Sequence, residues 1–118
     1  MAATTETFTS TQSLLRYLKI SGTYKGYKQM VTAIELAIED EDRLLNVTID
    51  LYPRVAQIHH TTSSCVQKNL RKIIAASWEN GGREQQEALL GLTYDRRPFT
   101  KDFIDLLADY LKKSRAAS

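Results

Sequence analysis

The chain has 118 residues, 42% of them hydrophobic and 25% charged, with a formal net charge of +2. That is enough for one globular domain with its own core, and the mild basicity permits a nucleic-acid partner without demanding one. The composition excludes an internal disulfide framework, because Cys65 is the single cysteine, and the sequence has no apolar run of about 18 residues to span a bilayer and no secretory leader. A single thiol and no leader together suit a cytoplasmic location.

In chain order, Met1 to Ser10 holds mainly Ala, Thr, Ser and Glu and reads as a disordered tail, leaving residues 11–118 as the folded unit. Gln12 to Ile20 reads as a short amphipathic helix with Leu14, Leu15 and Leu18 inward, broken at Ser21-Gly22-Thr23. Lys25 to Glu39 reads as a second helix, whose buried stripe is Tyr27, Met30, Val31, Ile34, Ala37 and Ile38. Lys25 and Lys28 alternate with tyrosines there, a pattern compatible with phosphate contact but equally with solvated lysines beside a packed helix start. The acidic link Glu39-Asp40-Glu41-Asp42 would repel a polyanion and is expected to point away from one, with Leu44 and Leu45 packed under the helices that begin near Val47.

The stretch from Val47 to Gly82 carries the strongest signal. Its first part has apolar residues Ile49, Leu51, Tyr52, Val55, Ala56 and Ile58 after a candidate cap at Thr48. Pro53 either starts this helix as a first-turn proline or kinks a longer one. His59 to Thr62 reads as a turn. The next helix, about 62–80, places Val66, Leu70, Ile73, Ile74, Ser77 and Trp78 on one side of a 3.6-residue period. Thr62, Ser63 and Ser64 offer capping hydroxyls, Ser64 standing at capping-box spacing from Gln67, and Asn80-Gly81-Gly82 supplies the stop. The opposite face holds Cys65, Gln67, Lys68, Asn69, Arg71 and Lys72. Two helices and a tight turn over about 48–80 make a helix-turn-helix, whose second helix fits a major groove. Arg and Lys there can meet guanine O6 and N7, and Gln or Asn adenine N6 and N7. The plainer alternative is a solvated helix face.

Beyond Gly82, Arg83 to Leu92 reads as one or two helical turns with Leu89, Leu90 and Leu92 inward and Gly91 as the stop. Arg96 and Arg97 fall in a loop, either as phosphate clamps or as ordinary loop arginines. A last helix starts at a Thr100 cap, with Asp102 in its first turn and Lys112 and Lys113 near its end, the sense a helix dipole favours. Phe103, Ile104, Leu107, Ala108 and Leu111 form its core side, and Arg115 to Ser118 are expected to fray. No strand pattern competes, so the fold class is all-α: a compact bundle of about five to six helices containing a helix-turn-helix.

Catalysis has little support. The adjacent His59 and His60 cannot face one metal from a regular helix, and no ligand set stands beside them. Cys65 has no activating constellation, although a helix N-terminus would lower its pKa. No metal, no cofactor, no small-molecule substrate and no enzyme activity are expected.

The run "TIDLYPRVAQIHHTTSSCVQKNLRKIIAASW" resembles, without a gap, the C-terminal DNA-binding effector domain of the sporulation stage zero A response regulator family. "YKGYKQMVTAIELAIED" before it and "GLTYDRRPFTKDFIDLLADYL" after it are similar to flanking segments of the same family, so the resemblance runs from about Leu14 to Leu111. It implies the same helical fold, double-stranded DNA as partner, and insertion of the 62–80 helix in the major groove. The face it puts in the groove is Ser64, Cys65, Gln67, Lys68 and Arg71; the reading of the residues themselves adds Lys72 on the same basic face, and Thr62 and His60 at the turn, where a histidine is either a turn residue or a phosphate contact. The chain departs from the family where Cys65 replaces an arginine, Gln67 a glutamate, Lys68 an arginine, Asn69 an alanine and Lys72 a histidine, while Arg71 is kept. Losing two bidentate arginines implies a changed or less specific target, at about 1–3 kcal/mol of discrimination per lost pair.

The family's regulator also has an N-terminal receiver domain, for which this length leaves no room. The expectation is an effector domain that is either excised or stand-alone, and that associates in tandem or as a dimer on DNA. The rival expectation is a non-catalytic protein-interaction module, with the fold kept, specific reading lost and a partner surface around Tyr110 and Lys113.

Overall fold

The computed structural model describes residues 7–117. Six α-helices follow one another: α1 Thr11–Tyr17, α2 Tyr27–Glu39, α3 Tyr52–Ile58, α4 Ser63–Ser77, α5 Arg83–Leu90 and α6 Thr100–Ala117. Shorter helical turns fill Glu41–Leu44, Val47–Leu51 and Trp78–Gly82. No strand occurs among the described residues, so the all-α expectation holds.

One core joins the helices. Leu14, Leu15 and Leu18 of the α1 region meet Met30 and Ile34 of α2, Val55 of α3, Leu70 and Ile74 of α4, and Phe103, Ile104, Leu107 and Leu111 of α6. The long α2 and α6 pack extensively on one another, and α4 lies against α2, α3 and α6. Burying a side chain such as Leu70 or Ile104 contributes about 1.5–3 kcal/mol, which orders helices too short to persist alone.

Several boundaries differ from the sequence reading for physical reasons. The first helix ends at Tyr17, because Lys19 turns left-handed (φ 70°) and the Ile20 N–H closes back on the Leu15 carbonyl at 2.9 Å. That reversal keeps both Leu18 and Ile20 buried, and the break at Ser21-Gly22-Thr23 comes too late. α2 starts at Tyr27 rather than Lys25. Leu44 is buried, but Leu45 and Ile49 are 81% and 74% exposed and pack under nothing. The Thr48 hydroxyl bonds the Asn46 side chain instead of capping, and the chain enters α3 through a wide turn in which the Tyr52 N–H reaches back to the Val47 carbonyl. Pro53 then occupies the first turn of α3, where a missing N–H costs nothing.

The two ends are better held than composition suggests. Met1 to Glu6 of the expected disordered tail, and Ser118, lie outside the described residues. Within the structure, the Phe8 N–H donates to the Tyr110 hydroxyl at 3.0 Å, and the Ser114 hydroxyl donates to the Phe8 carbonyl at 2.6 Å. Arg115 does not fray. Its guanidinium holds Glu35 at 2.8 and 3.0 Å and the Thr9 carbonyl at 2.7 Å, while the Thr11 hydroxyl donates to the same Glu35 carboxylate.

Candidate nucleic-acid interface

The turn between α3 and α4 is made without glycine. His60 takes the left-handed conformation (φ 55°), and the Thr61 N–H returns to the Ala56 carbonyl at 2.9 Å, closing the end of α3. His59 and His60 therefore part company. The His59 ring is hydrogen-bonded to the Thr32 hydroxyl of α2 at 2.7 Å, which fixes the turn to the scaffold, while His60 is exposed. Thr62 wins the competition for the cap: its hydroxyl accepts the Cys65 N–H at 3.1 Å. With the cap settled there, Ser63 and Ser64 lie inside the first turn of α4.

α4 runs fifteen residues, Ser63–Ser77, and its two faces separate as the periodicity requires. Val66, Leu70, Ile73, Ile74 and Ser77 are buried, and Trp78 is half-buried. Ser64, Cys65, Lys68, Arg71 and Lys72 are exposed and Gln67 is partly so. Ser64, Gln67, Lys68 and Arg71 line one shallow depression, so four of the residues assigned to DNA share a single surface. Asn69 does not join them: its amide donates to Gln29 of α2 at 3.2 Å. The close approach of α4 to α2 is set at Gly26, where a Cβ would stand 2.9 Å from the Asn69 Cβ and 3.0 Å from its carbonyl oxygen. α4 ends at Ser77, three residues short of the expected end at Asn80; a wider helical turn over Trp78–Gly82 follows, and the predicted glycine stop falls in it, with Gly81 at φ 93°. Gly82 sits so tightly that a Cβ would lie 2.5 Å from the Ser77 carbonyl oxygen and 2.7 Å from that of Leu18.

The electrostatics of this surface are one-sided. Among the described residues, Lys68, Arg71 and Lys72 are in no ion pair, and neither are Lys25, Arg96 or Arg97 around them. Lys25 and Lys72 border one depression on a flank of α4, and Arg71, Arg96 and Arg97 border another. Arg71 also lies close enough to the buried Tyr52 to oppose the rise that burial imposes on that phenol's pKa. Cys65 is exposed, and hydrogen bonding with the Thr62 and then the Thr61 side chains, aided by Lys68, holds its thiol below the ordinary value. Among the described residues no cluster of three or more His, Cys, Asp or Glu is arranged to hold a metal ion, and no helix is long and apolar enough to cross a membrane.

Sequence reasoning missed two supports of the site. The Ser77 hydroxyl, on the buried face, donates to the Leu18 carbonyl at 2.5 Å and pins the end of α4 to the turn after α1. Arg83 stacks over Trp78 at 5.0 Å and donates to the Tyr94 carbonyl at 2.7 Å, tying α5 and the following loop to the end of α4. A polar residue in an apolar stripe marks the first; nothing local in the sequence marks the second.

A capped, scaffold-locked second helix with an unneutralised basic face, following a tight turn in an all-helical domain, has the form of a helix-turn-helix. The family model of the sporulation initiation factor Spo0A C-terminal domain matches residues 11–111. The chain belongs to that family of DNA-binding transcription regulators, and double-stranded DNA is the partner that membership supports.

Proposed function

We propose that this protein is a sequence-specific transcriptional regulator that places α4, extended by its Thr62 cap and reaching toward Asn80, in the major groove. The single observation that carries the reading is the exposed face of α4, on which Lys68, Arg71 and Lys72 have no internal acidic partner among the described residues. Arg71 offers the bidentate fork suited to guanine, and Gln67 offers an amide suited to adenine. Lys68 and Lys72 supply point charges, Ser64 and Cys65 keep the helix start slim against the bases, and Thr62 and the exposed His60 border the entry. The role involves no catalytic step, metal or cofactor, and the protein acts in the cytoplasm. A second copy binds an adjacent site, side by side on the duplex.

The test is selection from random duplex DNA at two salt concentrations, followed by sequencing. An enriched motif that Arg71→Ala abolishes is the expected result; binding without enrichment that disappears with salt contradicts it.

One observation favours a second reading, an interaction module. Leu89, Leu90, Leu92 and Leu106 line a groove between α5 and α6 that Tyr110 and Lys113 border, far in sequence from the α4 face. On that reading, variants at Arg71 and Lys68 leave every interaction of the protein intact.

A further inference from the structure

We infer that Arg96 and Arg97, in the loop between α5 and α6, form a phosphate clamp that grips the DNA backbone at the edge of the groove α4 enters. The clamp rests on the DNA-reading role proposed for α4 and adds a second, non-reading contact to it.

Three observations converge. The loop and α4 share a depression of about 390 Å³ bordered by Arg71, Ile74, Arg96, Arg97, Pro98, Phe99 and Thr100, so the loop arginines open onto the same surface as the helix. Arg96 is held over the ring of Phe99, its guanidinium carbon 4.7 Å from the ring centroid, although that ring is itself 60% exposed. A stacked guanidinium keeps its N–H edges free for an acceptor and forfeits less rotamer freedom on binding. Neither arginine is in an ion pair among the described residues, although Asp95 and Asp102 border the depression on the other side of the same loop.

The chemistry selects the occupant. Three guanidinium groups around one opening fit an anion with several oxygens, and guanidinium matches phosphate bidentately. A recognition helix in a major groove is bordered by phosphates on both sides, so a cationic loop at its flank meets backbone before it meets bases. The base of the loop is firm: the Tyr94 N–H donates to Glu87 at 2.8 Å and the Tyr94 carbonyl accepts from Arg83 at 2.7 Å. The clamp is thus presented by the scaffold and carries no sequence information of its own.

The experiment compares the unaltered chain, Arg96→Ala/Arg97→Ala and Arg96→Lys/Arg97→Lys on one short duplex bearing the motif that selection enriches. Affinity is measured across a salt series, and the thermal midpoint of each variant verifies that it is folded. The alanine pair is expected to lower the salt slope by about two and to weaken binding roughly tenfold per arginine near 0.1 M salt, with the enriched motif unchanged. The lysine pair is expected to keep the slope. A folded alanine pair with an unaltered slope, beside specific binding by the unaltered chain, overturns the clamp alone. Failure of the unaltered chain to enrich any motif overturns the reading role of α4, and the clamp with it.

Discussion

Two regions of this domain treat their cations by opposite rules. From Glu35 to Arg43 and from Leu111 to Ala117, each is matched: Arg43 with Glu39 at 3.2 Å, Lys112 with Glu41 at 3.4 Å, Lys113 with Asp109 at 3.0 Å and Arg115 with Glu35 at 2.8 Å. Around α4, Lys25, Lys68, Arg71, Lys72, Arg96 and Arg97 have no acidic partner among the described residues. Arg16, Lys19, Lys28, Arg54 and Lys101 are outside any ion pair among the described residues as well, so what marks the α4 surface is that its bare cations lie together, which the net charge of +2 conceals. A domain need not be strongly basic to meet a polyanion if it neutralises charges where its ends are held and leaves those on one face bare.

The comparison breaks most violently through the scaffold that both regions share. Gly82→Ala forces a Cβ against the Ser77 and Leu18 carbonyl oxygens, and should cost about 3 kcal/mol in urea unfolding. DNA binding by that variant should fall only with the folded fraction. Next in size, Arg71→Ala should cost about 1–3 kcal/mol of DNA affinity in a titration while stability stays within about 0.5 kcal/mol, since the side chain is exposed.

Arg115→Ala should give the reverse pattern: about 1 kcal/mol or less of stability, because the pair with Glu35 is partly solvated, and unchanged DNA affinity. The same pair sets a pH dependence. The Glu35 carboxyl is held below its ordinary value of 4.5, mainly by its hydrogen bond from Arg115 and against the opposing effect of burial. Its contribution to stability is therefore present above the ordinary carboxylate range and is lost as pH falls through the lowered folded value. Unfolding midpoints from about pH 6 down to about pH 3 should show a shallower acid decline in Glu35→Gln.

The smallest effect belongs to Tyr94. Burial, then the nearby Glu87 charge, pushes its phenol up to about 12. Its hydroxyl is buried without a hydrogen-bond partner among the described residues. Tyr94→Phe should keep stability within about 0.5 kcal/mol or raise it slightly, and should remove one late tyrosinate from an alkaline absorbance titration.

Much of this architecture was legible in the sequence. The α4 stripe from Val66 to Ser77 and the Gly81 stop follow from periodicity and from the left-handed preference of glycine, both local properties. Three features were not legible. Lys19 and His60 take left-handed turns because burial of Leu18 and Ile20, and closure of α3, outweigh local preference. The face of α4 that holds Asn69 depends on where α2 lies, which no helical wheel contains. The pairing of Arg115 with Glu35 joins residues 80 positions apart, so composition at the chain end suggested fraying where tertiary contact gives order.

The contact between Gly26 and Asn69 bears on how such a protein can diverge. Any residue but glycine at position 26 would drive a Cβ into the backbone and Cβ of Asn69, so it is position 26 that holds α4 at its place against α2. Positions 64, 65, 68, 71 and 72 are exposed and touch little of their own molecule. On the reading role proposed for α4, a lineage can therefore rewrite its operator through those positions one substitution at a time, at almost no cost in folding, while the angle at which α4 is offered stays inherited.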